Sequence, residues 1–316
     1  MELWGEDSTQ PGGSSERLSV ELEELCDQYV QTNPEIQSKE TVRLLRLSVR
    51  HFGQFLDDKP LAAHLVDRNL IGYVQHRRAL GRAETTIERE TAKLFTLARY
   101  AARNGHAPDP RFRPKKARVD IPVAFMRHEV RALFRAANRY KRTIAGVPGD
   151  IFMVALLLVC WDTAERIGAV IKIERGDIDL RGRWVTSRER KRNGKPLIRR
   201  VRRRTAKALA SLMDAHDGPR PFGLLKRESL YYHLNRLLVD AGLPVDRKHK
   251  FHCLRRSHAS WLHRAGGDSR DSLDHESDQT TRTYYHDPRI TRRWNPVDFL
   301  FDPMGPWGRL LARFGL

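Results

Sequence analysis

Between Gly105 and Pro122 the chain reads GHAPDPRFRPKKARVDIP, and its four prolines forbid a regular helix or a central strand through those residues. The chain is therefore cut into two parts that must each build a core. At 316 residues, 40% of them hydrophobic, both parts are long enough to do so.

The first part is helical throughout. Leu18, Leu22, Leu25 and Tyr29 recur at three- and four-residue intervals, as do Val42, Leu45, Val49, Phe52 and Leu56, which places each set on one helix face. A third helix is predicted from Asp67, a suitable N-cap, through Leu70, Ile71, Val74 and Arg78 to Gly81. The fourth starts at TTIE, where Thr85 and Glu88 have capping-box spacing, and ends at Gly105. The opening MELWGEDSTQPGGSSE lacks a basic stretch followed by an apolar core, so residues 1–16 read as a disordered leader and not as a signal peptide.

The second part mixes helix and strand. Helical text from His128 to Tyr140 is followed by PGDIFMVALLLVCWDTAERIG, where Asp150 can cap a helix that is apolar nearly all round and hence buried. RWVTSRERKRNGKPLIRRVR reads as short strands around Asn193-Gly194, a strong hairpin signal. Helices are expected near Thr205 to Ala215, Arg227 to Ala241 and Leu254 to Ala265. The fold class is thus mainly α with a small β-sheet or hairpin. The parts are 17–105, a basic linker 106–122, 123–300, and a tail 301–316 whose aromatics and amphipathic end are expected to pack on a neighbouring protomer.

Charge narrows the partners. Lys and Arg number 58 against 39 Asp and Glu, a net charge of +19, and a polyanion follows, with nucleic acid the best fit. The excess is concentrated: from Arg181 to Arg204 twelve cations face one acid, Glu189. Phosphate contacts are expected from Arg188, Arg190, Arg192 and Lys195, from linker residues Lys115 and Lys116, and from Arg46, Arg50, Arg77, Arg78 and Arg89 on the N-terminal helices. Three scattered cysteines, Cys26, Cys160 and Cys253, encode neither a disulfide framework nor a Cys-rich zinc site. No apolar run reaches the ~20 residues of a membrane span. A cytoplasmic, nucleoid-associated protein without a cofactor, metal or membrane partner is the expectation.

DTAERIGAV at Asp162 to Val170, RKRNGKP at Arg190 to Pro196, FHCLRRSHASWLHRAGG at Phe251 to Gly267 and LDHESDQTTRTYYH at Leu273 to His286 occur in that order. Together they resemble the tyrosine recombinase, or phage integrase, family. The resemblance implies an N-terminal four-helix core-binding (SAM-like) domain and a C-terminal mixed α+β catalytic domain. It also implies cutting and rejoining of double-stranded DNA through a 3′-phosphotyrosine, by a homotetramer on paired sites that is a monomer or weak oligomer when free. Integration or excision of a mobile element through a Holliday junction is the implied role; relaxation of DNA in the manner of a type IB topoisomerase, or an inactive DNA-binding relative, are the alternatives.

Carried over residue by residue, the family pattern makes Arg166 and Arg255 the clamps on the nonbridging phosphate oxygens, His252 the base and His275 a further phosphate contact. Lys191 is the general acid, with Lys195 open because the hairpin is one residue longer than usual. The nucleophile lies nine residues beyond the second histidine, which is Tyr284; Tyr285 then fills a variable position, as packing or a phosphate contact, and is the alternative nucleophile. Fixed guanidinium groups suit this chemistry because a phosphodiester anion repels a phenoxide until its oxygens are neutralised. Two departures stand out. The family's Leu-Gly-His is Leu273-Asp274-His275, and its Thr-Gly-x-Arg-x-x-Glu is Thr163-Ala164-Glu165-Arg166-Ile167-Gly168-Ala169, without the usual supporting acid.

Overall fold

The computed structural model describes residues 20–36, 38–188 and 196–292. The chain divides into two compact units, Met1–Arg118 and Val119–Leu316.

The N-terminal unit is built on α1 (Leu22–Thr32), α2 (Lys39–Leu56), α3 (Asp67–Ala79) and α4 (Glu84–Arg103). Leu22, Leu25 and Cys26 of α1, Leu45, Val49 and Phe52 of α2, Leu70 and Tyr73 of α3, and Leu94, Leu97, Ala98 and Ala101 of α4 form one buried cluster. These are the periodic positions expected to face inward. Helix starts differ slightly from the expectation: Asp67 is the first residue of α3, and α4 begins at Glu84 after Ala83, so Thr85 lies inside the helix and is not its cap.

One expectation for this unit is corrected. Arg77 is buried at 6% exposure and gives two 2.9 Å hydrogen bonds to Glu90, so it is a core residue unavailable to phosphate. Glu90 also accepts from Tyr73 at 2.9 Å and pairs with His51 Nδ1 at 3.1 Å. A buried guanidinium needs such a neutralising partner, and α3 and α4 supply the pair. The proline-rich segment packs on these helices as well. Arg111 and Phe112 donate backbone N–H groups to Asp67, Ala117 donates to Glu88 at 3.1 Å, and the Arg113 guanidinium lies 5.1 Å from the Phe95 ring.

The C-terminal unit surrounds α6 (Gly149–Thr163), whose buried residues Phe152, Met153, Ala155, Leu156, Leu157 and Val159 point in every direction around its axis. A helix apolar on all sides must be central. Against it pack α5 (Arg127–Asn138), α8 (Arg203–Asp214) and α10 (Phe251–Arg264), with α9 (Arg227–Asp240) against α5. A two-stranded ribbon not anticipated from the sequence, β1 (Thr143–Ile144) with β2 (Val147–Pro148), turns at Ala145 and Gly146, both at positive φ, and leads directly into α6. After the one-turn α7 (Ile167–Val170) comes a three-stranded antiparallel sheet, β3 (Ile178–Asp179), β4 (Trp184–Ser187) and β5 (Leu197–Arg200), in that order. The expected hairpin is β4–β5, registered Trp184↔Arg200 to Ser187↔Leu197; its tip, with Asn193-Gly194, lies outside the described residues. Short helices α11 (Ser269–Leu273), α12 (Asp278–Tyr285) and α13 (Pro288–Thr291) finish the unit against α10. The tail lies outside the described residues. Among the described residues no helix is long and apolar enough to cross a membrane.

Two buried polar residues fasten distant segments together. Ser257 of α10 accepts the Phe125 backbone N–H at 2.7 Å, and Asp287 accepts that of Ala124 at 2.8 Å. These bonds join the entry of the unit to its last helices and hold α10 in place.

Candidate active site

Arg255 and His252 lie one turn apart on α10, and that spacing brings both side chains to one face. Arg255 is 1% exposed. It donates to the carbonyl of Ala164 and, at 2.8 Å, to that of Leu273, while its Nη2 lies 3.3 Å from His275 Nε2. Guanidinium groups only donate, so His275 accepts at Nε2 and its Nδ1–H donates to Thr281 Oγ1 at 2.9 Å. Burial holds the Arg255 pKa below its ordinary value, with the like charge of Arg166 pushing the same way and Tyr285 and Glu165 opposing.

Both carbonyls that hold Arg255 belong to helix ends with unusual backbone. Ala164, closing α6, has φ 53°, and Asp274, which follows Leu273 and closes α11, has φ 51°. These are the two places where the family pattern carries glycine, the residue that enters the left-handed region without penalty. Asp274 is exposed, and aspartate is among the L-residues that visit this region most readily. The backbone shape that glycine would give therefore survives both departures, at a local cost greatest for Ala164.

Arg166, exposed, precedes α7 as its N-cap and shares a cavity of about 910 Å³ with His252 and Arg255. Glu165 lines it as well, buried at 4% exposure and accepting the Arg166 backbone N–H at 2.9 Å. An acid thus stands beside the two arginines although the pattern's own acid is absent. Sequence reading missed it because its neighbour Arg166 was the residue of interest. Lys172 and Arg227, also missed, line the same cavity together with Arg188, which pairs with Asp177. Their only signal in sequence was charge.

His252 retains solvent access, yet its pKa is pushed down from 6.5 to about 4, first by desolvation against the packed wall and then by Arg256, Arg255, Arg166 and His275. At neutral pH it is an uncharged imidazole, able to accept a proton. Behind it His258 bridges α6 and α11: Nδ1 donates to Trp161 O at 2.6 Å, and Nε2 accepts from Ser272 Oγ at 2.7 Å.

The adjacent tyrosines separate cleanly. Tyr285 is 7% exposed, its ring centroid 4.5 Å from that of His275, 5.1 Å from that of His252 and 5.5 Å from the Arg255 guanidinium. Tyr284, the sequence-based nucleophile, is 51% exposed. Successive helix residues point about 100° apart, so only one of the two can face the cations in a given conformation. His286, which follows, stacks on His263 at 4.3 Å and meets Ser269 Oγ at 2.8 Å; burial, then His263, brings its pKa down to about 4.

The structure thus brings Arg166, His252, Arg255 and His275 to one site. Lys191, Arg190, Arg192 and Lys195 lie outside the described residues, and Lys115 and Lys116 are exposed in the N-terminal unit. Among the described residues no group of His, Cys, Asp and Glu is placed to hold a metal ion.

Comparison with known proteins bears on this arrangement. No curated protein matches the chain by sequence. Among solved structures it is similar to a lambda integrase dimer bound to a COC′ core site, with TM-score 0.69 and 15% identity over 89% of this chain and 81% of that one. It is similar also to a lambda integrase tetramer bound to a Holliday junction, with TM-score 0.68 and 17% identity over 89% and 81% of the two chains. The Tn1549 transposon integrase in complex with a circular intermediate DNA gives TM-score 0.67 and 12% identity over 85% and 96%. Identities this low establish the fold alone. The phage integrase family model, however, matches residues 124–289, more than half of the chain and every segment that reaches Arg255. On that match, this chain belongs to the phage integrase family of tyrosine recombinases.

Proposed function

We propose that this protein is a site-specific DNA recombinase that cuts and rejoins strands through a 3′-phosphotyrosine and acts as a homotetramer on paired double-stranded sites. The observation that carries the reading is a cavity lined by Arg166, a neutral His252 and a buried Arg255, with His275 and the Tyr285 ring packed against Arg255. Arg166 and Arg255 neutralise the nonbridging oxygens, and the phenol oxygen attacks phosphorus. His252 takes the phenol proton. The 5′ oxygen leaves with a proton from Lys191, or from Lys195. His275 is a further contact to the phosphate, as the family pattern implies. The new phosphotyrosine bond conserves the energy of the old one, so a second strand's 5′ hydroxyl can displace the enzyme.

Packing favours Tyr285 as the attacking phenol, because it alone of the pair lies against the imidazoles and Arg255. The nine-residue spacing from His275 favours Tyr284, which reaches the site if the last turn of α12 rotates. A nicked duplex carrying the element's flanking DNA separates the two. Trapping of the covalent adduct by wild type, Tyr284→Phe and Tyr285→Phe identifies the nucleophile by the variant that yields none. Adducts from both single variants and from the double variant would remove the mechanism. Relaxation of a supercoiled plasmid without exchange between two sites would favour the topoisomerase-like reading.

A further inference from the structure

A second cationic surface lies away from the cavity. Arg181 and Arg183, in the turn between β3 and β4, and Arg203 and Lys207, on the first two turns of α8, line a groove of about 460 Å³ floored by Ala206 and Ala210. Among the described residues none of these four cations has an acidic partner, whereas nearby Arg202 pairs with Asp162, Arg220 with Glu174 and Arg188 with Asp177. Nothing in α8 relieves the crowding, since its first turn carries no acid and Arg203 and Lys207 stand one turn apart as like charges. Arg183 also occupies a left-handed backbone at φ 61°, where glycine or asparagine is cheaper.

The sheet fixes where this groove lies. Arg183 immediately precedes β4 and Arg188, which lines the cleavage cavity, immediately follows it. Five residue steps of ~3.3 Å set them roughly 16 Å apart at opposite ends of the strand. The Val201 N–H bonded to Arg183 O at 2.8 Å closes the ladder at the far end. No described residue lines both the groove and the cavity.

We infer that this groove grips the phosphate backbone of a second DNA segment while the first occupies the cleavage cavity. Guanidinium groups without an acidic partner, exposed at Arg181 and Arg203 and half-buried at Arg183, suit phosphate oxygens, and among the described residues the groove has no aromatic lining to anchor a protein partner. Its small apolar floor offers nothing that reads a base, so the grip is independent of sequence. The inference rests on the DNA reading above only for the identity of the polyanion.

The test uses the full chain on an immobilised duplex and measures capture of a second, fluorescent duplex of unrelated sequence. Wild type is expected to capture it. The variant Arg181→Gln/Arg183→Gln/Arg203→Gln/Lys207→Gln is expected to lose roughly tenfold or more of that capture, with a salt slope shallower by about 0.9 for each phosphate no longer neutralised. Its affinity for the first duplex and its adduct yield should stay within about threefold, since the cations that serve that duplex are unchanged. Replacing only the three arginines by lysine should preserve capture. Capture unchanged in the glutamine variant would overturn the inference, and so would an equal loss of affinity for the first duplex, which would assign the groove to the primary interface. Wild type that fails to bind even the first duplex would instead sink the proposed function.

Discussion

Each unit buries an arginine beside a histidine and a tyrosine, and the two clusters are put to opposite uses. In the N-terminal unit Arg77 faces a carboxylate: Glu90 takes two of its hydrogen bonds and one from Tyr73, and pairs with His51. In the C-terminal unit Arg255 is held by two backbone carbonyls and an imidazole, and Glu165 acts on it through the field. A carboxylate cancels the charge it binds, whereas a carbonyl orients a guanidinium and leaves its charge intact. The same residue types therefore make a closed structural knot in one place and, in the proposed function, an anion site in the other.

The largest effect expected from breaking this contrast is on chemistry. Arg255→Gln should lower the single-turnover rate of adduct formation by about 10³-fold or more, since the charge aimed at the phosphate is removed. A variant cleaving within tenfold of wild type would show that Arg255 is structural, as Arg77 is. Next comes Glu90→Gln, which leaves a buried guanidinium without its counter-charge and should cost about 3 kcal/mol in urea unfolding of the N-terminal unit. Adduct yield per folded molecule should be little changed; a comparable loss of cleavage would mean that the two clusters are coupled.

Acid should act on the C-terminal unit. The folded chain holds His252 and His286 near 4, while unfolding returns them to about 6.5. Between those values the unfolded chain binds more protons, so their contribution is complete above pH 6.5 and is lost as pH falls towards 4. A melting temperature that declines over this window in wild type and less steeply in His286→Gln is the expected record; parallel curves would contradict it. The smallest effect belongs to the backbone. Ala164→Gly relieves a left-handed alanine and should stabilise the C-terminal unit by up to about 1 kcal/mol in chemical unfolding. Destabilisation would show that the alanine methyl contributes more packing than its backbone costs.

Much of the architecture could be read directly. The helix faces in the N-terminal unit, the all-apolar α6 and the β4–β5 hairpin follow from periodicity and a turn signal, because these depend on neighbours a few residues away. So did the pairing of His252 with Arg255, which needs only the pitch of a helix. The β1–β2 ribbon escaped because strands of two residues carry no period, and Arg77 was misread because an isolated arginine gives no sign of its depth. Tyr284 and Tyr285 show the same limit more sharply: their types and spacing are given by the chain, while the rotation of α12 decides which one faces the cations.

The order of residues alone determined a basic two-part chain, its helices and hairpin, and the family motifs with their two missing glycines. Only the tertiary structure decided that Arg255 is held by carbonyls from residues 164 and 273, that Glu165 lines the pocket, and that Tyr285 packs against His252, His275 and Arg255. The reason is physical: helix and strand patterns are short-range properties, whereas the charge state and reach of a buried group depend on segments brought together from far along the chain.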